Sequence, residues 1–257
     1  MKGFLIKKAF FDGWDNMISM VLLNLLFIAV GSAGITLFSV TPNMILGFLS
    51  LVLLVVAMTF LRSAATESAF NWSNYQGDTW QAFKRGITRN WRHALVLSLV
   101  NVFLLSLTTF VLPFYFSMNG IVPFFLGVIL LGVQIVVAMA MPFYFGLMCL
   151  LPGDRAWKTF KKCFIIVGDN MGFAIFFSFY QILMYAITIF TLGLVPGFAG
   201  IELLRQDAMK LLMKKYDYLE ENPDADRKHL PWEDILFDER EKVGPRSFRS
   251  MIFPWKE

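Results

Sequence analysis

Residues 94–151 read ALVLSLVNVFLLSLTTFVLPFYFSMNGIVPFFLGVILLGVQIVVAMAMPFYFGLMCLL and contain no Asp, Glu, Lys or Arg. Two further stretches, 17–61 and 171–201, are equally free of charge. The surface of a water-soluble domain needs solvated groups, whereas a helix crosses the hydrocarbon core of a bilayer with about 20 apolar residues. The sequence therefore predicts an all-α, polytopic membrane helical bundle.

The composition supports this class. Hydrophobic residues make up 57% of the chain and charged residues only 16%, against about 25% charged residues in soluble domains. The net charge of +4 is interpreted as a signal of membrane orientation and lipid contact, so no nucleic-acid partner is predicted. The two cysteines and two histidines have no metal-ligand spacing. We therefore predict no metal, cofactor or disulfide.

Five spans follow from the apolar runs: 17–40, 44–61, 94–116, 121–150 and 171–191. Uncharged turn residues at 41–43 and 117–120 predict two tight hairpins. After a break at Pro196 and Gly197, the segment 198–216 is apolar first and then strongly charged. We favour a short sixth span here over a five-span arrangement with the tail outside. The predicted domains are a bundle over 1–216 and a charged, aromatic-containing tail over 217–257.

The basic residues indicate the orientation. The turns at 41–43 and 117–120 carry no basic residue. The N-terminal segment and the two long connections carry many. These are Lys2, Lys7 and Lys8 before the first span, Arg62, Lys84, Arg85, Arg89 and Arg92 between spans two and three, and Arg155, Lys158, Lys161 and Lys162 between spans four and five. By the positive-inside rule these three segments face the cytoplasm. The N-terminus is expected in the cytoplasm, and the C-terminus on the same side if the sixth span exists.

A threefold repeat is visible where spans one, three and five begin. Small and amide side chains recur along one helix stripe, at Asn90, Ala94, Ser98 and Asn101, at Asn170, Ala174, Ser178 and Gln181, and more loosely at Asn16, Met20 and Asn24. Such residues favour close contact and hydrogen bonding between membrane helices. Each stripe follows a basic amphipathic segment, so each repeat is predicted to be an interfacial helix followed by a transmembrane hairpin.

The amphipathic segments have two interpretations. Their aromatic faces either anchor the bundle at the headgroups or dock a partner protein. The candidate docking residues are Trp80, Phe83, Lys84 and Arg85 in the second segment and Trp157, Phe160 and Lys161 in the third. The tail adds Trp232, Phe253 and Trp255 as docking candidates, which could equally fold back onto the same chain.

The predicted membrane interior holds few polar groups. The candidate stripe comprises Asn24, Ser98, Asn101, Gln134, Ser178, Gln181, Glu202 and Arg205. Glu202 is the one acid at plausible membrane depth, and Arg205, three residues further along the helix, is its expected partner. Helix-packing hydrogen bonds are the simpler explanation of the amides, and a lining for a neutral polar solute is the alternative. No combination of acid, base and nucleophile suggests an enzyme, so no catalytic residue is predicted.

Residues from about Asn24 to Tyr216 resemble the YesL-like family of bacterial integral membrane proteins. The resemblance rests on Asn24-Leu25-Leu26-Phe27, Phe83-Lys84-Arg85 with Asn90, the segment 157–162, the Pro196-Gly197 break and Lys214-Lys215-Tyr216. The tail departs from the usual shorter members. The resemblance implies a bacterial cytoplasmic membrane and an accessory role in carbohydrate uptake by an ABC-type transporter or in its regulation. The expected partner is the transporter permease or another membrane protein. The resemblance supplies no functional residues. The expectation is a non-enzymatic accessory protein, and the alternative is a small transporter or channel for a neutral polar solute.

Overall fold

The computed structural model describes residues 1–227 and 229–246, and within these ranges every regular element is a helix. The helices in chain order are α1 (Lys2–Asp15), α2 (Met17–Val40), α3 (Met44–Ser73), α4 (Thr79–Arg89), α5 (Trp91–Ser117), α6 (Ile121–Leu150), α7 (Ala156–Asp169), α8 (Met171–Phe190), α9 (Gly197–Glu221), α10 (Trp232–Ile235) and α11 (Phe237–Val243). The predicted all-α class is confirmed.

Five of these helices, α2, α3, α5, α6 and α8, are long and apolar enough to cross a membrane. They match the five predicted spans, although α3 continues well beyond Leu61 to Ser73. Only a minority of the residues in the apolar part of each helix are buried within the protein, from 6% of them in α6 to 33% in α8. Side chains this apolar need a lipid or protein environment. The protein is therefore a multi-pass membrane protein.

The segment expected as a short sixth span is helical, but α9 does not qualify as a membrane-spanning helix among the described residues. It begins at Gly197 beside Asn24, because the backbone N–H of Ala199 donates to Asn24 Oδ1 at 2.8 Å. Asn24 lies only seven positions into α2. Helix α9 therefore begins part of the way along α2 and runs back toward the end of the bundle that carries α1.

Prolines explain the irregular turns in two of the long helices. Helix α5 contains a π-helical turn at Leu107–Val111, just before Pro113. Helix α6 contains a 3₁₀ turn at Met141–Phe143, around Pro142. Proline lacks the N–H that would complete the α-helical ladder, so the helix changes its local winding there.

Each of three short helices is joined to a long one by a single asparagine. Asn16 separates α1 from α2, Asn90 separates α4 from α5, and Asn170 separates α7 from α8. In two of them the side-chain amide donates to the carbonyl oxygen four residues earlier, Asn16 to Asp12 at 2.9 Å and Asn170 to Ile166 at 3.0 Å. The short helices are thereby held at a change of direction at one end of the bundle, which we call the basic end (α1, α4 and α7).

Helices α3 and α9 form the centre of the bundle. Helix α3 contacts α2, α4, α5 and α9, while α9 contacts α1, α2, α6 and α8 as well. Gly86 lets α4 lie directly on α3, since a Cβ at this position would be only 2.8 Å from Ala64 Cα. The buried apolar side chains fall into two groups, one around α6, α8 and α9 and the other around α2, α3 and α4.

Candidate functional site

The first cluster of charged side chains lies between α3 and α9. Glu202 is 1% exposed, and its Oε1 accepts hydrogen bonds from Arg62 Nε at 2.7 Å and Arg205 Nη1 at 2.5 Å. Its Oε2 accepts from Thr66 Oγ1 at 3.0 Å. The predicted pair of Glu202 and Arg205 is present, and Arg62 is an additional partner. Two guanidinium groups face one carboxylate, so the cluster has one excess positive charge.

Arg205 also connects the cluster to α8. Its Nε donates to Gln181 Oε1 at 2.8 Å, and its Nη2 donates to the Tyr185 hydroxyl at 3.0 Å. Beside these groups lies a cavity of about 440 Å³ between α5, α6 and α8. Its polar lining consists of Arg62, Asn101, Ser178, Gln181, Tyr185 and Arg205. Four members of the predicted polar stripe, Asn101, Ser178, Gln181 and Arg205, thus line one cavity together with Arg62.

The other members of the predicted stripe lie elsewhere. Gln134 donates to Thr108 Oγ1 at 2.6 Å, between α6 and α5, and does not line the cavity. The hydroxyl of Ser98 is buried and has no hydrogen-bond partner within the described part of the chain. Ser178 does line the cavity, but its hydroxyl donates to the Ala174 carbonyl of its own helix at 2.8 Å. These residues therefore do not form one continuous polar path.

Asn24 has a structural role at the start of α9. Its Nδ2 donates to the carbonyl oxygens of Leu194 at 2.8 Å and Pro196 at 2.7 Å, while its Oδ1 accepts from Ala199. These groups belong to an irregular turn and a helix end, where backbone polar groups lack partners within the helix. Since the side chain is fully buried, Asn24 supplies hydrogen bonds that water cannot supply there.

A second cluster of charged side chains has Lys8 at its centre. The fully buried Lys8 Nζ lies 2.6 Å from Asp12 Oδ2, 3.4 Å from Glu239 Oε2 and 3.5 Å from Asp207 Oδ1. It also donates to the Tyr75 hydroxyl at 3.1 Å. Helices α1, α9 and α11 and the loop after α3 thus meet at one ammonium group.

Lys210 supports the same cluster from α9. Its Nζ lies 3.0 Å from Glu239 Oε1 and donates to the Ser73 carbonyl oxygen at 2.8 Å. Asp207 Oδ1 in turn accepts from the Ser73 hydroxyl at 2.7 Å. The end of α3 is therefore held by both a backbone and a side-chain contact to α9.

The acids of this cluster have opposite pKa shifts. Burial and the neighbouring charge of Asp207 raise the pKa of Asp12 to about 8. Burial likewise raises the pKa of Asp207, and the attraction of Lys8 offsets this only in part. For Glu239 the tendency of burial to raise the pKa is outweighed by Lys8 and Lys210, so its pKa is lowered. The cluster can hold a proton on the Asp12–Asp207 pair while Glu239 stays ionised.

The geometry of the two aspartates agrees with a shared proton. Oδ1 of Asp12 and Oδ2 of Asp207 are both buried and have no partner among the described residues. Both carboxyl groups contact the same ammonium group, since Lys8 Nζ lies 2.6 Å from Asp12 Oδ2 and 3.5 Å from Asp207 Oδ1. A single proton between them would satisfy both oxygens and reduce the repulsion of like charges.

The docking candidates on α4 and α7 differ in exposure. Trp80 is 47% and Trp157 is 58% exposed, and Lys84, Arg85 and Lys161 are exposed as well. Phe83 is buried in the core around α3, and Phe160 is partly buried. Among the candidates on these helices, only the tryptophans and the basic residues are therefore free to contact lipid or a partner.

The described part of the tail folds back onto the bundle. Helix α10 contacts α9, and α11 contacts α1, with Leu236 fully buried. Trp232 is partly buried against the larger core. At the end of this segment Arg246 Nη1 lies 2.8 Å from Asp15 Oδ2. Phe253 and Trp255 lie outside the described residues.

The sequence interpretation missed the Lys8 cluster, although one signal was present. The buried face of α1 consists of Leu5, Lys8, Phe11 and Asp12, which is a helical stripe containing a lysine and an aspartate four residues apart. The more aromatic face of the same helix, with Phe10 and Trp14, is exposed. A paired acid and base within an apolar stripe is a usable signal of a buried ion pair.

The fold and these two clusters define a multi-pass membrane protein with buried ion networks at its basic end. Comparisons with family models, curated proteins and solved structures each give no match to this chain. The resemblance to the YesL-like family therefore stays a prediction. No group of metal-binding side chains occurs within residues 1–227 and 229–246.

Proposed function

We propose that this protein is a non-enzymatic accessory subunit of the bacterial cytoplasmic membrane that binds a transport protein through its basic end. The observation that carries the proposal is the pairing of exposed tryptophan with exposed lysine on two short, firmly packed helices. On α4 these are Trp80 and Lys84, and on α7 they are Trp157 and Lys161. Exposed aromatic and basic residues on a rigid support are the typical anchors of a protein interface.

The rigidity of these helices favours binding over simple anchoring. Helix α4 lies in backbone contact with α3 at Gly86, and the Nε1 of Trp72 on α3 donates to Thr79 Oγ1 at 2.9 Å. Helix α7 buries Thr159 and Cys163 against the chain. A helix that only anchors the protein in the headgroup layer does not need a fixed position on the bundle, whereas a helix that forms a docking surface does.

The partner class comes from the sequence resemblance. It is the permease of a carbohydrate ABC-type transporter, and the orientation that goes with it has both termini and the basic end in the cytoplasm. The charge distribution supports this arrangement. Although α9 is not a membrane-spanning helix, it returns the chain to α1, and α11 contacts α1 as well. The three asparagine junctions, Asn16, Asn90 and Asn170, support the proposed threefold repeat of interfacial helix and hairpin.

Native purification in mild detergent tests the proposal. The intact protein should recover a stoichiometric membrane partner. Two double variants should no longer recover the partner, although they keep the melting temperature of the wild type. They are Trp80→Ala with Lys84→Glu and Trp157→Ala with Lys161→Glu. Arg240→Glu on α11 is the matched control, because it reverses an exposed charge on another helix of the same end. A lone chain from native membranes would contradict the proposal.

The orientation has its own test. Single cysteines at Lys84, Lys161 and Asn119, in a chain without Cys149 and Cys163, can be labelled in intact cells with a membrane-impermeant maleimide. Only the cysteine at position 119 should react before the membrane is opened. Labelling of position 84 or 161 from outside would reverse the proposed orientation.

A transporter or channel for a neutral polar solute is the second candidate, favoured by the shared cavity of Asn101 and Gln181. Solute flux into reconstituted vesicles should then fall in Asn101→Leu and Gln181→Leu. Gln134→Leu is the control, since Gln134 lies outside the cavity. Equal flux in the first two variants and the wild type would remove this candidate.

A further inference from the structure

The cavity between α5, α6 and α8 is amphipathic. Its polar lining, described above, includes Arg62 and Arg205. Its apolar lining consists of Leu97, Leu104, Ile135, Ala138, Met139, Met141, Pro142 and Ile182. A cavity of about 440 Å³ with both kinds of lining suits a molecule with a polar head and a hydrocarbon body.

The charged groups at the cavity, Arg62 and Arg205 with Glu202 behind them, have one excess positive charge. Both oxygens of Glu202 are already engaged by Arg62, Arg205 and Thr66. Arg62 uses only Nε for this bond, and within the described residues no hydrogen bond is recorded for its two terminal nitrogens. A guanidinium group with free donors at a partly dry site favours a phosphate or carboxylate oxygen.

The depth of Arg62 indicates where such a ligand would lie. Between Met44 and Arg62, α3 rises about 27 Å at 1.5 Å per residue, which is close to the roughly 30 Å thickness of a hydrocarbon core. Arg62 is also the first charged residue after the uncharged segment. Its guanidinium group therefore lies near the boundary between hydrocarbon and headgroups on the side of the basic end.

The cavity is accessible from the lipid. Ile135 on α6 and Ile182 on α8 line it and are 52% and 63% exposed. Both belong to helices that can span the membrane. A hydrocarbon chain could therefore lie in the space between α6 and α8 without leaving the bilayer.

We propose that this cavity binds one anionic phospholipid, with its phosphodiester group at Arg62 and an acyl chain against the apolar lining residues of α6 and α8. A lipid with net charge −1 neutralises the excess charge of the cluster. A zwitterionic lipid would instead bring its own cation close to two guanidinium groups. The site does not depend on a protein partner, so it stands or fails separately from the accessory function.

Native mass spectrometry of the full chain in dodecyl maltoside tests the proposal. Phosphatidylglycerol and phosphatidylcholine with identical acyl chains are titrated in parallel. The wild type should prefer phosphatidylglycerol by a factor on the order of ten, as expected for hydrogen bonds to a charged group. Arg62→Gln should remove the preference, and it should fold because Glu202 keeps Arg205 and Thr66 as partners. Arg89→Gln, an exposed arginine outside the cavity, should retain the preference.

A second variant tests the cavity without changing its charge. Ala138→Trp places a bulky ring against the lining and should lower phosphatidylglycerol binding as much as Arg62→Gln does. Inorganic phosphate and glycerol 3-phosphate are tested as free anions and should not compete. Competition by either would identify a soluble anion as the ligand and overturn the proposal. An unchanged lipid preference in Arg62→Gln and Ala138→Trp would overturn it as well.

Discussion

Replacement of Lys8 by methionine tests whether the buried ion cluster joins α1 to α9 and α11. Methionine keeps most of the length and flexibility of the side chain but removes the charge. In the wild type the ammonium group lies within 3.5 Å of oxygens of Asp12, Asp207 and Glu239. Without it, the partly buried Lys210, which pairs with Glu239, is the remaining cation beside three buried carboxyl groups. Removal of one partner from a buried ion pair costs about 3–5 kcal/mol.

We expect a loss near the lower limit of this range. The Asp12–Asp207 pair can bind protons instead of staying charged, since the pKa of Asp12 is already raised to about 8 by burial and by Asp207. A destabilisation of about 3 kcal/mol, at roughly 2–4 °C per kcal/mol for a chain of this size, lowers the melting temperature by roughly 6–12 °C. The loss should be smaller at pH 5 than at pH 8.

The measurement is thermal unfolding of the purified protein in mild detergent, followed by tryptophan fluorescence. Lys7→Met is the matched control, because Lys7 makes one partly buried hydrogen bond, 3.1 Å long, to the Gly244 carbonyl oxygen. We expect this control to lose less than about 1 kcal/mol. Asp12→Asn should be less destabilising in the Lys8→Met chain than in the wild type, since it removes a carboxylate that has lost its partner. A melting temperature of Lys8→Met equal to that of Lys7→Met would refute the reasoning.

Three further predictions follow from other contacts. Asn24→Leu breaks three hydrogen bonds at the start of α9 and should lower the free energy of unfolding by about 3 kcal/mol. Asn101→Leu breaks one hydrogen bond and should lower it by about 1 kcal/mol. Chemical unfolding in detergent measures both values. Gly86→Ala would bring a Cβ within 2.8 Å of the α3 backbone and should displace α4, seen as faster proteolysis, whereas Gly168→Ala, with open space around it, should not. Because the pKa of Asp12 is raised, the protonated carboxyl stabilises the fold; this contribution is full below about pH 4 and is lost as the pH rises through about 8. The melting temperature of the wild type should therefore fall more between pH 5 and 8 than that of Asp12→Asn. An equal fall in both proteins would contradict the raised pKa of Asp12.

The spans were predictable because one local property determines them. A segment such as 121–150 has no charged side chain to solvate. Its backbone polar groups must be hydrogen-bonded within the segment, and a helix achieves this. The turn at 41–43 was equally visible, since Asn43 caps α3 through its side chain, which accepts from the backbone N–H of Ile45 at 2.8 Å. Local chemistry of this kind does not depend on the rest of the fold.

The course of α9 was less predictable because its beginning depends on a distant side chain. The composition of 198–216 fits both a short span and a helix that begins inside the bundle. The choice rests on Asn24, about 170 residues earlier, which supplies the partners for the turn at Leu194 and Pro196. An asparagine in an apolar helix indicates that some polar group lies opposite it, but the sequence does not say which one.

The ion clusters were the hardest features to predict because they join segments from opposite ends of the chain. Lys8 and Glu239 belong to the first and last described helices, and Arg62 and Glu202 are 140 positions apart. In a linear sequence each of these residues is simply a charge next to an apolar run, as Lys7 and Lys84 also are. What distinguishes Lys8 and Arg62 is that packing of α9 against α1 and α3 removes water from around them. Since a buried charge is stable only with a fixed partner, we expect the clusters to fix the position of α9 relative to α1 and α3 more specifically than apolar packing alone would.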